Sequence, residues 1–295
     1  MLVHAHKKPV APQRAVVIGA GGFVGGAILK EIQKAKIPIL GITRKEADLL
    51  SPGGADALTA LLQPGDTVVF VSAIAPAKNA AQVMANLRMA ESAIAAFAHQ
   101  PPAHLVYISS DAVYADDATP VTERSPVAPS TTHGLMHAAR ELLLRSEYKG
   151  PFAILRPTLI YGAGDPHSGY GPNRFRKLAA KGEPIRLFGE GEEKRDHVAV
   201  EDVARLAARI LQYGSSGVLN AVTGTSTSFH DIARIVAAQF TPTARIELVP
   251  RAGPRPHLLH RFFDITDAYK SFPDFHYEPL EPGLNRVHRE VQAKT

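Results

Sequence analysis

Between residues 109 and 141 the chain gathers side chains able to move protons. Ser109-Ser110-Asp111 comes first with Tyr114, then His133-Gly134-Leu135-Met136-His137, then Glu141. Residues four apart share one face of a helix, so His133 and His137 are expected to point the same way. Imidazole has an unperturbed pKa near 6.5, which suits acid–base work at neutral pH. His133 is therefore expected to titrate within about two units of that value. The alternative is that both histidines are ordinary helix residues. A metal is not assigned: the pair has no third ligand, and the sequence has no HExxH and no Cys/His cluster.

A second constellation lies near the start. Gly19-Ala20-Gly21-Gly22-Phe23-Val24-Gly25 reads as GxxGxxG on Gly19, Gly22 and Gly25. It follows a β-branched run and opens a segment with helical apolar spacing. The first glycine permits a tight turn, the second lets backbone approach a pyrophosphate, and the third lets helix pack on strand. The helix N-terminus adds free N–H groups and positive dipole. This predicts dinucleotide binding. The next strand ends Gly41-Ile42-Thr43-Arg44. An NAD-selective site usually carries an acid there; a cation suits a 2′-phosphate, so NADP is favoured over NAD. Glu46 or Asp48 could still reach a ribose or adenine.

The elements that would carry these groups alternate. Strands are expected at Arg14–Ile18, 37–43, 67–71, His104–Ile108 and 152–156, with helices at Phe23–Lys34, 55–62, Ala80–His99 and 133–148. Strands alternating with helices imply an α/β fold, a doubly wound parallel sheet of Rossmann type covered on both faces. Beyond Pro157 the texture becomes irregular, rich in Gly and Pro. Helices are expected at 174–181, 200–213 and 228–239 and a strand at Ile185–Phe188. This half predicts a smaller C-terminal lobe. The expected division is a flexible leader (1–13), a dinucleotide-binding core (14–162) and a mainly substrate-binding lobe (163–290), with residues 198–222 returning to the core. The tail from Val291 is expected to fray.

At 295 residues, 45% hydrophobic, the chain can bury a large core. No apolar run spans a bilayer, and the leader lacks the apolar core of a secretory signal. The absence of cysteine excludes disulfides and thiol catalysis and fits a cytoplasmic protein. The net charge of +5 is scattered, without a basic block. It suits anionic small ligands, and no nucleic-acid or membrane partner is expected.

Further motifs occur in order: Asp48-Leu49, Ser72-Ala73, Asn86, residues 109–114 (SSDAVY), 155–162 (LRPTLIYG), 189–204 (GEGEEKRDHVAVEDVA), 263–267 (FDITD) and 279–284 (PLEPGL). With the glycine loop, they make the chain resemble the extended short-chain dehydrogenase/reductase superfamily, in its branch of nucleotide-sugar epimerases, dehydratases and 4-ketoreductases. The resemblance implies hydride transfer between a sugar carbon and nicotinamide, with a Ser/Thr hydroxyl orienting the substrate oxygen and a Tyr-x-x-x-Lys pair carrying the proton. Ser110 aligns with the hydroxyl, Ser109 being the alternate. His133 aligns with the tyrosine and His137 with the lysine, so the pair is replaced by His-x-x-x-His. The catalytic expectations are Ser110, His133 and His137.

The resemblance also implies a cofactor site of Gly19, Gly22, Phe23, Val24, Gly25, Thr43, Arg44, Asp48, Leu49, Ser72, Ala73, Ser109 and His137. Substrate contacts are implied at Asp111, Asn173, Arg195 and Arg251, the alternative for Arg195 being an ion pair with Asp196 or Asp202. Lys177 is either a further contact or a solvated helix residue, and Arg156-Pro157 and Tyr161-Gly162 are expected to be structural. The leading expectation is an NADP-linked keto-sugar reductase acting on a nucleotide-activated sugar, as a homodimer through two helices per subunit. The alternatives are a 4-epimerase with bound NAD and a dinucleotide-binding protein with little turnover.

Overall fold

A computed structural model describes every residue except 117, 118, 168, 252, 254–257, 294 and 295. In chain order the strands and helices are β1 (Leu2–Val3), β2 (Arg14–Ile18), α1 (Phe23–Lys34), β3 (Ile39–Ile42), α2 (Gly54–Leu61), β4 (Asp66–Phe70), α3 (Ala80–His99) and β5 (His104–Ile108). A 3-10 turn at Asp111–Val113 precedes α4 (Thr132–Glu147), β6 (Phe152–Pro157), β7 (Leu159–Tyr161), α5 (Pro172–Ala180), β8 (Ile185–Phe188) and β9 (Lys194–Ala199). Then come α6 (Val200–Gln212), β10 (Ser216–Ala221), β11 (Ser226–Ser228), α7 (Phe229–Ala237), β12 (Ile246–Val249), α8 (Thr266–Ser271) and α9 (Leu280–Gln292).

The central sheet runs β1-β10-β6-β5-β4-β2-β3. All its pairings are parallel except that of β1. β4 and β5 are buried along their whole length, as expected for strands covered on both faces. Ile28 and Ile32 of α1 pack with Val203, Leu206 and Ile210 of α6 on one face. Leu58 of α2, Met89 and Phe97 of α3 and Leu144 of α4 cover the other. A separate cluster holds the smaller lobe together: Phe175 from α5, Ile185 and Leu187 from β8, and Phe229, Ile232 and Val236 from α7.

The leader departs from expectation. Leu2 and Val3 pair with Gly217 and Ser216, adding an antiparallel strand to the sheet edge. His4 bonds Ser215 Oγ and the Ser271 carbonyl, and its ring lies 5.0 Å from Tyr213 and 5.1 Å from Phe272. An open edge offers unpaired backbone groups, and a short strand satisfies them. At the other end, α9 continues to Gln292, past the expected point of fraying. Its Gly283 lies against the Tyr161 hydroxyl, where an added Cβ would come within 2.0 Å.

Candidate active site

The C-terminal ends of β2, β4, β5 and β6 open into a cleft of about 340 Å³ between sheet and lobe. Phe23 and Val24 of α1, Val71, Ala73, Ser109, Ser110, Asp111, His133 and His137 line its sheet side. Thr158, Asp165, His167, Tyr170, Asn173 and His197 line the opposite side. Open α/β sheets bind ligands at this edge.

The glycine loop is shaped for an anion. Gly19 has φ +100°, and a Cβ there would come within 2.7 Å of the Ser72 nitrogen. At Gly25 a Cβ would lie 2.1 Å from the Gly19 carbonyl oxygen. These two are fixed by packing. Gly22 is not: its Cβ would meet only that same carbonyl, at 3.4 Å. The loop backbone is thus open on the side a ligand would approach, and no side chain caps α1. Free N–H groups at an uncapped helix start fit a pyrophosphate.

Beside it, the end of β3 is tied down locally. Thr43 donates from N and Oγ1 to Glu46 Oε2 at 2.8 and 2.6 Å. Asp48 Oδ1 accepts from Leu50 N at 3.0 Å, and Leu49 is buried core. Arg44 is exposed and has no hydrogen-bond or ion-pair partner among the described residues. Asn86 reaches from α3 to hold the loop after β4, accepting from Ile74 N at 2.9 Å and donating to Ile74 O at 3.0 Å.

Of the two expected hydroxyls, Ser109 is committed elsewhere. Its Oγ donates to Glu141 Oε1 at 2.6 Å, and Glu141 also accepts from Arg156 Nε at 2.9 Å and Nη2 at 2.5 Å. This buried triad ties α4 to β5 and β6. Ser110 makes weaker bonds, accepting from Ala112 N at 3.2 Å and facing Asp111 Oδ1 at 3.4 Å. Burial pushes the Asp111 carboxyl up, with Arg261 and Thr158 opposing. Arg261 donates to the Asp111 carbonyl at 3.2 Å and to Asp116 Oδ1 at 3.1 Å.

α4 brings the two histidines to the cleft together, their rings 4.8 Å apart and edge-on. Neither is poised near 6.5. Burial, then the charge of His167, pushes His133 down to about 4. Burial, then His133 and Arg140, holds His137 well below its usual value. The expected titration of His133 within two units of 6.5 is thus corrected: both imidazoles are neutral at pH 7 because the cleft wall desolvates them. His133 Nδ1 accepts from Ala77 N at 3.4 Å, and His137 Nδ1 lies 2.7 Å from the Tyr107 hydroxyl.

The expected substrate contacts divide. Asp111 and Asn173 line the cleft; Arg195 and Arg251 do not. Arg195 donates to the carbonyls of Lys194, Leu258 and Leu259. Asp196 instead accepts from Thr223 and Gly224, and Asp202 pairs with Arg205. Arg251 forms an ion pair with Glu193 at 2.8 Å. Lys177 bonds the carbonyls of Asp165 and His167. Sequence reasoning missed Tyr107, Thr158, His167, His197 and Arg261. Tyr107 carried a signal, a lone hydroxyl inside an apolar strand; the others depend on how the lobe folds back. Among the described residues no cluster of potential metal ligands occurs, and no helix is long and apolar enough to cross a membrane.

Comparison with known proteins agrees with this architecture. The chain is 30% identical to a dTDP-4-dehydro-6-deoxy-D-allose reductase of Streptomyces bikiniensis over 159 residues, spanning 52% of this chain and only about half (47%) of the relative. Its fold resembles a GDP-L-fucose synthetase of Naegleria fowleri bound to NADP, with a TM-score of 0.83 at 17% identity, covering 98% of this chain and 96% of the other. It also resembles a UDP-glucuronic acid 4-epimerase of Bacillus cereus in complex with NAD, with a TM-score of 0.79 at 20% identity, covering 95% and 99%. Residues 15–222, from the strand before the glycine loop to just past β10, the last parallel strand of the central sheet, match a single family description. The chain belongs to the NAD dependent epimerase/dehydratase family.

Proposed function

We propose that this chain is an NADP-linked reductase of a nucleotide-activated keto-sugar. The observation that carries the reading is one continuous cleft lined by the start of α1, by Ser110 and by both imidazoles of α4. Gly22 and the free N–H groups of α1 would hold the dinucleotide pyrophosphate. Arg44, free of other partners, would meet the 2′-phosphate, while Glu46 is occupied by Thr43. When bound, the cofactor supplies the hydride. Ser110 would orient the sugar carbonyl. His133, neutral in this cleft, would polarise that carbonyl by N–H donation rather than as an imidazolium, and water entering the cleft would supply the proton that the resulting alkoxide takes up. Asp111 and Asn173 would face the sugar. The reductase relative and the NADP-bound structural neighbour support the same reading.

The depressed His133 pKa of about 4 also favours a second reading, a dinucleotide-binding protein with little turnover. Stopped-flow oxidation of NADPH with a dTDP-linked 4-keto-6-deoxy sugar separates the two. Turnover that His133→Phe abolishes, with a rate flat between pH 6 and 8, supports the neutral donor. A rate falling about tenfold per pH unit would reinstate the imidazolium acid. No turnover with any keto-sugar, while NADPH still binds, supports the binder. We further propose a homodimer through α3 and α4, which leave Met84, Leu135 and Leu142 exposed.

A further inference from the structure

Building on the reading of the cleft as a dinucleotide site, we propose that Tyr107 is a positioning residue that locks His137 as its Nε2–H tautomer. α4 then offers the bound dinucleotide a neutral, directed N–H donor at the position where the resembled enzymes carry a cation.

The argument starts from a buried hydroxyl. Tyr107 lies in the middle of the sheet and is wholly buried. Its hydrogen needs an acceptor, since an unmade bond at a buried site is costly. His137 Nδ1 stands 2.7 Å away and is the only partner of that hydroxyl among the described residues. The adjacent polar group is Arg140, whose guanidinium lies 5.1 Å from the Tyr107 ring centroid and 4.4 Å from that of Phe70. A guanidinium only donates, so it cannot take the phenol hydrogen. Tyr107 therefore donates, Nδ1 accepts, and the imidazole proton resides on Nε2, at the far edge of a ring that lines the cleft. The other tautomer would leave the phenol hydrogen without an acceptor, a bias of about tenfold or more.

Arg140 has a second effect. Fully buried, it donates to the Ser72 carbonyl at 2.9 Å; among the described residues it pairs with no carboxylate, and its Nε and Nη1 have no partner. A cation so placed opposes a second positive charge on His137. Burial likewise keeps the Tyr107 phenol protonated. Fixed charge is thus retained beneath the cleft floor, but in Arg140, while His137 contributes direction. The four residues 107, 133, 137 and 140 form one unit that no glycine or serine motif announces.

The test reads the tautomer directly. In the ligand-free chain labelled with ¹⁵N-histidine, long-range ¹H–¹⁵N correlation spectra should show His137, assigned by its loss in His137→Gln, protonated at Nε2. Tyr107→Phe should yield a tautomer mixture and weaken NADPH binding, measured by calorimetry, by about twofold, in proportion to the Nε2–H fraction lost. An Nδ1–H tautomer in the wild type overturns the proposal. So does a Tyr107→Phe chain with unchanged tautomer and unchanged NADPH affinity. Should that variant fail to fold, two others decide. His137→Gln places an amide nitrogen near the Nε2 position and should bind NADPH more tightly than His137→Asn, whose amide sits near Nδ1; equal affinities overturn the proposal. A wild-type chain that binds neither NADPH nor NADH sinks the dinucleotide reading and the donor's target with it. The tautomer spectrum needs no ligand and reports on Tyr107 separately.

Discussion

In the proposed reading, Arg44 carries the choice between dinucleotides. It stands at the end of β3, exposed, beside a glutamate whose carboxylate is already held by Thr43. A free guanidinium gains most from a phosphate and little from a ribose hydroxyl. Arg44→Ala should therefore lower NADPH affinity and leave NADH affinity near wild type, narrowing the gap by about 1–3 kcal/mol. Calorimetric titration of both cofactors checks this, and equal wild-type affinities would remove the basis for NADP. The exposed place of Arg44 at the end of β3 was readable because it depends on one short strand. The partners of Arg195 were not: its guanidinium donates to carbonyls of residues 258 and 259, distant in sequence. Ser109 and Ser110 show the same limit, since only the fold reveals which hydroxyl Glu141 takes.

At the scale of elements, α4 decides whether the site exists. Its start is capped by Thr131, whose Oγ1 accepts from Gly134 N at 3.1 Å. Gly134 then presses against the 3-10 turn, where an added Cβ would come within 2.0 Å of the Ala112 carbonyl oxygen. His133 and Ser110 line the same cleft. Gly134→Ala must push helix and turn apart, costing about 1–3 kcal/mol, and should lower the melting temperature and weaken NADPH binding together. The far half of α4 is anchored by Glu141. Glu141→Gln would leave Arg156 buried without a counter-charge, a loss of about 3–5 kcal/mol that chemical unfolding would register. Recovery of full stability in that variant would mean that the amide and Ser109 rearrange to satisfy Arg156. The parallel strands and covering helices were legible because apolar periodicity is local. The edge strand β1 was not, because two residues carry no period and its formation depends on the open side of β10. The sheet of β7, β9 and β11 was hidden for a similar reason: it joins short segments far apart in sequence.

Across the whole molecule, the neutral imidazoles link stability to pH. His133 and His197 are pushed down to about 4 by burial, and His137 is held well below its usual value. In the unfolded chain these groups take up protons near pH 6.5, while in the native state His133 and His197 stay neutral until about pH 4. The unfolded state thus binds more protons in that window, and stability falls as pH drops from about 6.5 toward 4. Asp196 works against this: burial raises it to about 6, so its proton favours the native state below that pH. A pH profile of the wild type alone mixes the two signs, and a substitution is needed to isolate one. His197 suits the purpose, being buried, with Nε2 lacking a partner among the described residues and its ring 5.9 Å from and edge-on to Phe229. Phenylalanine can occupy that apolar wall without the proton linkage. His197→Phe should match the wild type at pH 7.5 within about 1 kcal/mol, since little charge or shape is lost there. At pH 5 it should be more stable by about 1–2 kcal/mol, the linkage expected of an imidazole pushed from 6.5 to about 4. Urea unfolding at the two pH values measures the difference. If the variant changes stability equally at both, His197 is not a buried neutral imidazole, and the wall it forms beside Gly171 is wetter than its packing indicates.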